Sequence, residues 1–374
     1  MKGHIRQRGK RSFELKFDAG RDPATGERKI QYASFKGTKR EAQTKLAALI
    51  TSVGAGSYVE PSKVTVADFV RARVIQWEAA GDISARTAQR YRQLVENQIA
   101  PHIGAKVLQR LTRLDMEGWH NSLHQGGLAA RTIGHAHRVL SKALSDAESD
   151  GLVVKNVCKL RKAPKVADKE MVIVQDVPGL VDKLQGSRLR IPALVALFTG
   201  ARLGEVLALR WSRVDLDGKV IRVREALEPT KAGIRFKTPK SKAGRRDITL
   251  PNILVDALRE HRKAALELRM QLGAGRLPDD ALLFANLEGE PLQPSNVSSD
   301  WGDLAGRLGM PEVTFHGLRH THASQLIASG VDIVTVSKRL GHAKPSVTLA
   351  IYAHMFTTDD SKAAAAINAA LSVS

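Results

Sequence analysis

The stretch TFHGLRHTH, residues 314 to 322, sets His316, Arg319 and His320 within about one turn of one another if the segment is helical. Two imidazoles at i and i+4 have the spacing to converge on one metal ion. The zinc-protease pattern would place a Glu beside the first His, where this chain has Gly317, and Arg319 would press a second positive charge on the cation. With no cysteine-rich segment or acidic triplet nearby, an anion site outranks a metal site. Arginine suits an oxyanion because its planar fork donates two parallel hydrogen bonds and stays charged at any relevant pH.

Three other segments carry residues of the same kind. In TGARLGEVLALRW, Arg202 follows the end of an apolar run, where an unpaired charge is expensive. Glu205, one turn on, either holds that guanidinium ready for a ligand or closes a purely structural ion pair. TPKSKAGRRDITL sets Lys240 and Lys242 on a turn between strands; a hairpin lysine can give a proton to a departing oxygen, although most hairpin lysines do not. In RLGHAKPSVTLAIYAHM, Gly341 closes a helix, His342 follows, and Tyr352 lies on another short helix. A tyrosine hydroxyl, with a pKa of about 10 in isolation, is a usable nucleophile where cationic surroundings relieve it of its proton. The alternative for Tyr352 is a packed aromatic.

Taken in order, Arg202 in TGARLGE, a hairpin lysine, His316 and Arg319 in HGLRH, His342 in LGH and Tyr352 in LAIYAHM resemble the tyrosine recombinases, specifically the integrases of phages and mobile elements. The match covers residues about 195 to 356, and the upstream organisation is similar to that of the family. The resemblance implies a DNA-breaking and rejoining enzyme that integrates or excises an element through a 3′-phosphotyrosyl intermediate on Tyr352. It implies that Arg202 and Arg319 stabilise the charge on a five-coordinate phosphorus, with Glu205 supporting Arg202. His316 is then a proton acceptor for Tyr352 or a phosphate ligand, and His342 a phosphate hydrogen-bond donor. Lys240, with Lys242 as the alternative, is the acid for the 5′-hydroxyl leaving group, while His320 and His322 are left to packing or support. The fixed guanidiniums stand where a divalent ion would otherwise be needed, so no metal, ATP or other cofactor is expected. The implied partners are core-type and arm-type double-stranded DNA sites, three further copies of the chain in a synaptic tetramer, and a DNA-bending accessory protein. The tail TTDDSKAAAAINAALSVS reads as a helix that docks on a neighbouring subunit or folds back on its own domain.

The elements that must position these residues make a multidomain, mainly α chain. Residues 1–55 read as strands plus one helix: SFELKF and KIQYASF alternate with period two, and Thr38 and Glu41 have capping-box spacing. Residues 62–158 read as a four-helix bundle, with Thr65 and Asp68 opening its first helix and Pro101, Gly126 and Gly151 ending the later ones, and the resemblance implies that it is the core-binding domain. On its last helix His135, His137 and Arg138 are expected to face solvent or phosphate. Residues 159–170 read as a linker, and residues 171–374 as a mainly helical catalytic domain carrying a small antiparallel sheet.

Composition sets the class of partner. Lys plus Arg total 58 against 38 Asp plus Glu, a formal charge of +20, and the basic residues are spread through folded-looking segments. Such a surface seeks a polyanion. Residues 1–60 alone hold 13 basic and 6 acidic side chains, a net of +7, which suits a separate DNA-contacting module, the arm-type domain that the resemblance implies. The single cysteine, Cys158, excludes an intramolecular disulfide framework and any multi-cysteine zinc site. No apolar run suggests a signal peptide or a membrane span, so a cytoplasmic protein is expected, and the resemblance implies that it works on the bacterial nucleoid. A type IB topoisomerase would use the same residue set, and a nonenzymatic regulator the same charge. The N-terminal module favours recombination at defined sites.

Overall fold

The computed structural model describes residues 3–21, 25–166, 171–230, 233–239, 242–355 and 360–371, and the chain divides into two units, Met1–Asp168 and Lys169–Ser374. The first unit holds two separate cores. In one, strands β1 (His4–Gly9), β2 (Ser12–Arg21) and β3 (Arg28–Lys36) form an antiparallel sheet in that order, with Phe13 opposite Phe35 and Leu15 opposite Ala33. The period-two pattern turns Phe13, Leu15 and Phe17 onto Ala42 and Leu46 of helix α1 (Lys39–Gly54). The Thr38–Glu41 capping box opens that helix as its spacing predicts. Strand β1, HIRQRG, was not legible, because only Ile5 along it is even partly buried.

The second core joins α2 (Val66–Ala79), α3 (Ala85–Leu94), α4 (Ala100–Ile103), α5 (Arg113–Gln125) and α6 (Ala130–Ser149). Thr65 caps α2, and α5 stops at Gly126, both as expected. Pro101 does not end its helix. A π turn over Val95–Ile99 shifts the hydrogen-bond register just ahead of it, and α4 carries the proline in its first turn, where a missing N–H costs nothing. The charged stretch after α6 passes through a short 3₁₀ turn, Val157–Leu160, and has no regular structure over 161–166. Residues 167–170 of the expected linker lie outside the described residues.

His137 corrects the expectation of an outward-facing cluster on α6. It is 7% exposed and lies 3.1 Å from His120 across the bundle, Nδ1 to Nε2. Burial first, then the neighbouring His120 and Arg138, pushes its pKa down to about 4. The folded unit therefore holds His137 neutral, whereas the unfolded chain takes up a proton below pH about 6.5. Stability contributed by the neutral imidazole is present above that pH and is lost as pH falls toward 4. Between pH 7 and pH 5 the loss is on the order of 2 kcal/mol. Urea unfolding at the two pH values should show this fall in the wild type and a shallower one in His137→Asn; equal slopes would reject a neutral buried pair.

The second unit is built on α8 (Arg190–Thr199), whose apolar residues are buried nearly throughout. Around it lie α7 (Val177–Lys183), α9 (Leu203–Leu207), α10 (Asn252–Gln271), α11 (Pro294–Arg307) and α12 (Phe315–Ala328). Two antiparallel sheets complete it. One has the order β4 (Val214–Asp215), β5 (Val220–Val223), β8 (Arg246–Thr249), and the other pairs β6 (Ala226–Thr230) with β7 (Gly233–Lys237). Helices α13 (Ile333–Leu340) and α14 (Pro345–Tyr352) pack on α12 through Ala323, Ile327, Val336, Leu340 and Tyr352, and α15 covers Asp360–Leu371. No helix among the described residues is long and apolar enough to cross a membrane.

Candidate active site

Two glycines in the left-handed conformation bring the site's segments together. Gly200 (φ 67°) ends α8 so that Arg202 becomes the N-cap of α9, and a Cβ there would lie 2.7 Å from His322 and Leu340. Gly341 (φ 71°) ends α13, and a Cβ there would meet the Arg246 guanidinium at 2.8 Å. Thr314 caps α12 through the Gly317 amide, and the helix then presents His316, Arg319 and His320 as their spacing predicts.

Arg319 is 2% exposed. Its Nη1 donates to the Gly200 carbonyl at 2.6 Å and its Nη2 to His342 Nε2 at 2.8 Å. Because that imidazole nitrogen accepts, the ring's proton is on Nδ1, which donates to Thr348 Oγ1 at 2.7 Å. Burial, then Arg319 and Arg202, pushes His342 down to about 4, which keeps this neutral tautomer at neutral pH. Both His342 nitrogens are thus engaged by protein groups, whereas a donor to phosphate needs one free. Through Thr348, His342 also ties the helix of Tyr352 to Arg319.

Arg202 donates from Nη1 to Glu205 Oε1 at 3.0 Å while its side chain stays 42% exposed. The other Glu205 oxygen receives Arg246 Nη2 at 2.8 Å. Burial works to raise the Glu205 pKa, but the Arg246 charge and hydrogen bond and the Arg202 amide hold it below the usual carboxylate range. Arg246 also donates to the Arg339 carbonyl, and Arg339 itself donates to His322 and to two carbonyls, those of Phe198 and Thr249. Arg202 and Arg246 therefore share one buried carboxylate, and Arg319 and Arg339 make no ion pair among the described residues. Burial and the Arg202 charge press the Arg319 pKa down to about 9, the mark of a cation short of an anion.

Tyr352 is 1% exposed, and its hydroxyl lies 2.7 Å from His320 Nδ1. The cationic surroundings were expected to ease its ionisation. Burial instead pushes its pKa up to about 12, and the nearby Arg319 charge only partly offsets this. His316 is exposed and stands edge-on to His320, ring centroids 4.7 Å apart. His322 is buried, with Nδ1 at 2.9 Å from the Leu197 carbonyl, and serves the packing role expected of it. Lys240 lies outside the described residues, and Lys242 falls in the 3₁₀ turn Lys242–Gly244 just before β8. No group of three or more His, Cys, Asp and Glu side chains able to hold a metal ion occurs among the described residues.

Arg246 and Arg339 escaped the sequence reading, and so did the contact between His320 and Tyr352. Arg246 was legible in principle: with Ile248 it occupies alternate, inward positions of β8, and an inward arginine needs a buried partner. His320 follows Arg319 directly in HGLRH, but no spacing rule points a histidine of α12 at a tyrosine 32 residues away.

Residues 173–358 match the model of the phage integrase family, and residues 74–124 match that of the phage integrase N-terminal SAM-like domain. The chain is similar to the "Tyrosine recombinase XerC-like" protein of Caldanaerobacter subterraneus, 27% identical with 96% of each chain covered. It is likewise similar to an integrase of Streptomyces ambofaciens, 28% identical over 89% of this chain and 87% of that one. Among solved structures, the Tn1549 transposon integrase in complex with a circular intermediate DNA has the same fold, with TM-score 0.69 and 20% identity over 83% of this chain and all of that one. The lambda integrase tetramer bound to a Holliday junction gives TM-score 0.56 at 20% identity over 92% of this chain and 96% of that one.

Proposed function

The chain belongs to the phage integrase family of tyrosine recombinases, and from that premise we propose which of its residues break and rejoin DNA at a defined site, and how. The phosphodiester to be cut sits against Arg202 and Arg319. The observation that carries this reading is the shortage of anions: Arg202 and Arg246 share the one carboxylate of Glu205, while Arg319, tied through His342 and Thr348 to the helix of Tyr352, has none in hydrogen-bonding reach among the described residues. A scissile phosphate supplies the missing negative charge. As the phenolic oxygen attacks phosphorus, further charge builds on the nonbridging oxygens, and donors already in place stabilise it without reorganising.

The new bond joins Tyr352 Oη to phosphorus as the phenolic proton passes to His316, the acceptor the family resemblance implies; the bond to the 5′ oxygen breaks, and Lys240 gives that oxygen its proton. The resulting 3′-phosphotyrosyl link keeps the energy of the broken diester. A 5′-hydroxyl from a second duplex can therefore reseal it without ATP, and the guanidiniums supply the charge that a divalent ion would bring. The crossover sequence for testing this comes from the direct repeats that bound the integrated element. A duplex of that sequence, nicked so that its 5′ fragment diffuses away, should trap a detergent-resistant adduct whose yield EDTA does not change. Mass spectrometry should place the DNA on Tyr352; an adduct on any other residue would reject the assignment.

The same reading extends to partners. Residues 1–55 take arm-type DNA, a role supported by the exposed Arg6, Lys10 and Arg11 of the β1–β2 hairpin, and residues 62–158 take core-type DNA. Residues 171–374 carry the chemistry, with 159–170 as linker. Four copies assemble on two duplexes, with a bending protein able to bring arm and core sites together in the bacterial nucleoid. Helix α15 exposes Ile367 (61%) and Leu371 (73%), apolar side chains suited to a neighbouring subunit. Deleting residues 358–374 should reduce tetramers on junction DNA at least tenfold in a native gel while single-site binding stays within twofold. Undiminished tetramers would reject docking between subunits.

A further inference from the structure

The hydroxyl of Tyr352 has one hydrogen-bond partner among the described residues, and it is a side chain to which the reaction as described gives no part. Helix α12 sends two consecutive side chains in different directions. Arg319 runs inward to Gly200 and His342, while His320 turns toward α14 and brings Nδ1 to 2.7 Å from Tyr352 Oη. The two rings are tilted by 58° with centroids 5.8 Å apart, so they meet at the heteroatoms and do not stack. On its other side His320 is braced by the perpendicular ring of His316.

The direction of this hydrogen bond follows from the protonation states. Burial, then His316 and Arg319, pushes His320 down to about 4, and burial pushes Tyr352 up to about 12. At neutral pH the phenol holds its proton and the imidazole is neutral, and because the buried hydroxyl has no other acceptor among the described residues, the tautomer that satisfies it leaves Nδ1 bare. The O–H therefore donates and Nδ1 accepts, leaving the imidazole's own proton on Nε2. With its single proton directed at α12, the phenolic oxygen turns its lone pairs to its other sides, and a lone pair is what an attack on phosphorus uses.

We propose that His320 positions the nucleophile: by accepting the hydrogen bond of Tyr352 it fixes both the place of the phenolic oxygen and the rotation of its hydroxyl. The proposal rests on Tyr352 being the nucleophile. Without an acceptor, the buried hydroxyl is unsatisfied and the ring leaves its position or loses its orientation. Misplacing a reacting atom by about 1 Å is enough to slow a reaction on the order of a hundredfold. His320 thus acts on the rate at saturating DNA and leaves DNA affinity alone.

The test compares His320→Leu, which has no acceptor, with His320→Asn, whose side-chain amide reaches the place of Nδ1. The probe is the nicked duplex carrying the crossover sequence from the direct repeats that bound the element. Adduct formation is followed in a single turnover with protein saturating, DNA affinity by gel shift, and folding by thermal unfolding. His320→Leu should bind the duplex within about twofold of the wild type and form adduct about a hundredfold more slowly, and His320→Asn should return to within about tenfold. A His320→Leu rate equal to the wild type would overturn the proposal. So would equal losses in both variants, because an acceptor at this position would then make no difference. Should His320→Leu fail to fold, the Asn variant decides alone: a folded His320→Asn more than a hundredfold slow rules out a role as mere acceptor. Failure of the premise looks different, since an adduct formed by Tyr352→Phe would remove the nucleophile itself.

Discussion

Tyr352→Phe should bind its DNA site as tightly as the wild type and form no covalent adduct at all. The substitution removes one oxygen atom. Its structural cost is the hydrogen bond to His320, about 1 kcal/mol, since the ring itself keeps its place in the core with Ala323, Ile327, Val336 and Leu340. Its chemical cost is the nucleophile itself, and the hydroxyl one turn earlier on α14 does not stand in: Thr348 is fully buried, its Oγ1 held by His342. DNA affinity depends on the basic surface and on guanidiniums that the substitution leaves untouched. Gel shifts and adduct assays on the same nicked duplex separate the two effects. Adduct at even a hundredth of the wild-type yield would show that another side chain is the nucleophile.

How much of this was legible follows from which interactions are local. The helix that ends at LGH and the short one that carries Tyr352 could be read because their signals are local, with Gly341 past a helix end, whereas the cap of α12 at Thr314 went unread. The order of Arg202, His316, Arg319, His342 and Tyr352 was enough to point to phosphate chemistry. Contacts that cross between elements were not legible. His320 meets Tyr352, and Arg246 meets Glu205 across 41 residues, only because Gly200 and Gly341 turn the chain back on itself. The charge on Tyr352 was misjudged for a related reason. A sequence shows how many cations lie nearby but not how dry the site is, and here desolvation outweighs the cations. Pro101 failed as a stop signal because the π turn before it cannot be read from residue types.

Arg319→Met should slow adduct formation at least a thousandfold while leaving the fold within about 1 kcal/mol of the wild type, a combination that separates a charge kept for function from one kept for stability. Methionine retains the apolar stem but removes both donors. The Gly200 carbonyl loses a bond at 2.6 Å, which costs stability. Against this, the variant no longer buries a cation beside Arg202 and Arg246 without a carboxylate of its own, which returns stability. Arg319→Lys keeps a charge but cannot reach Gly200 and His342 together, so it should recover little of the rate. Glu205→Gln should behave in the opposite way. It strands Arg202 and Arg246 with no anion at all, and the cost to folding should reach about 3–5 kcal/mol, the range for breaking a buried pair on one side. Chemical denaturation and single-turnover cleavage on all three variants therefore place Arg319 and Glu205 on different axes. If Arg319→Met destabilised the protein as much as Glu205→Gln does, the guanidinium would be a strut of the fold, and the unmet charge would no longer argue for a phosphate.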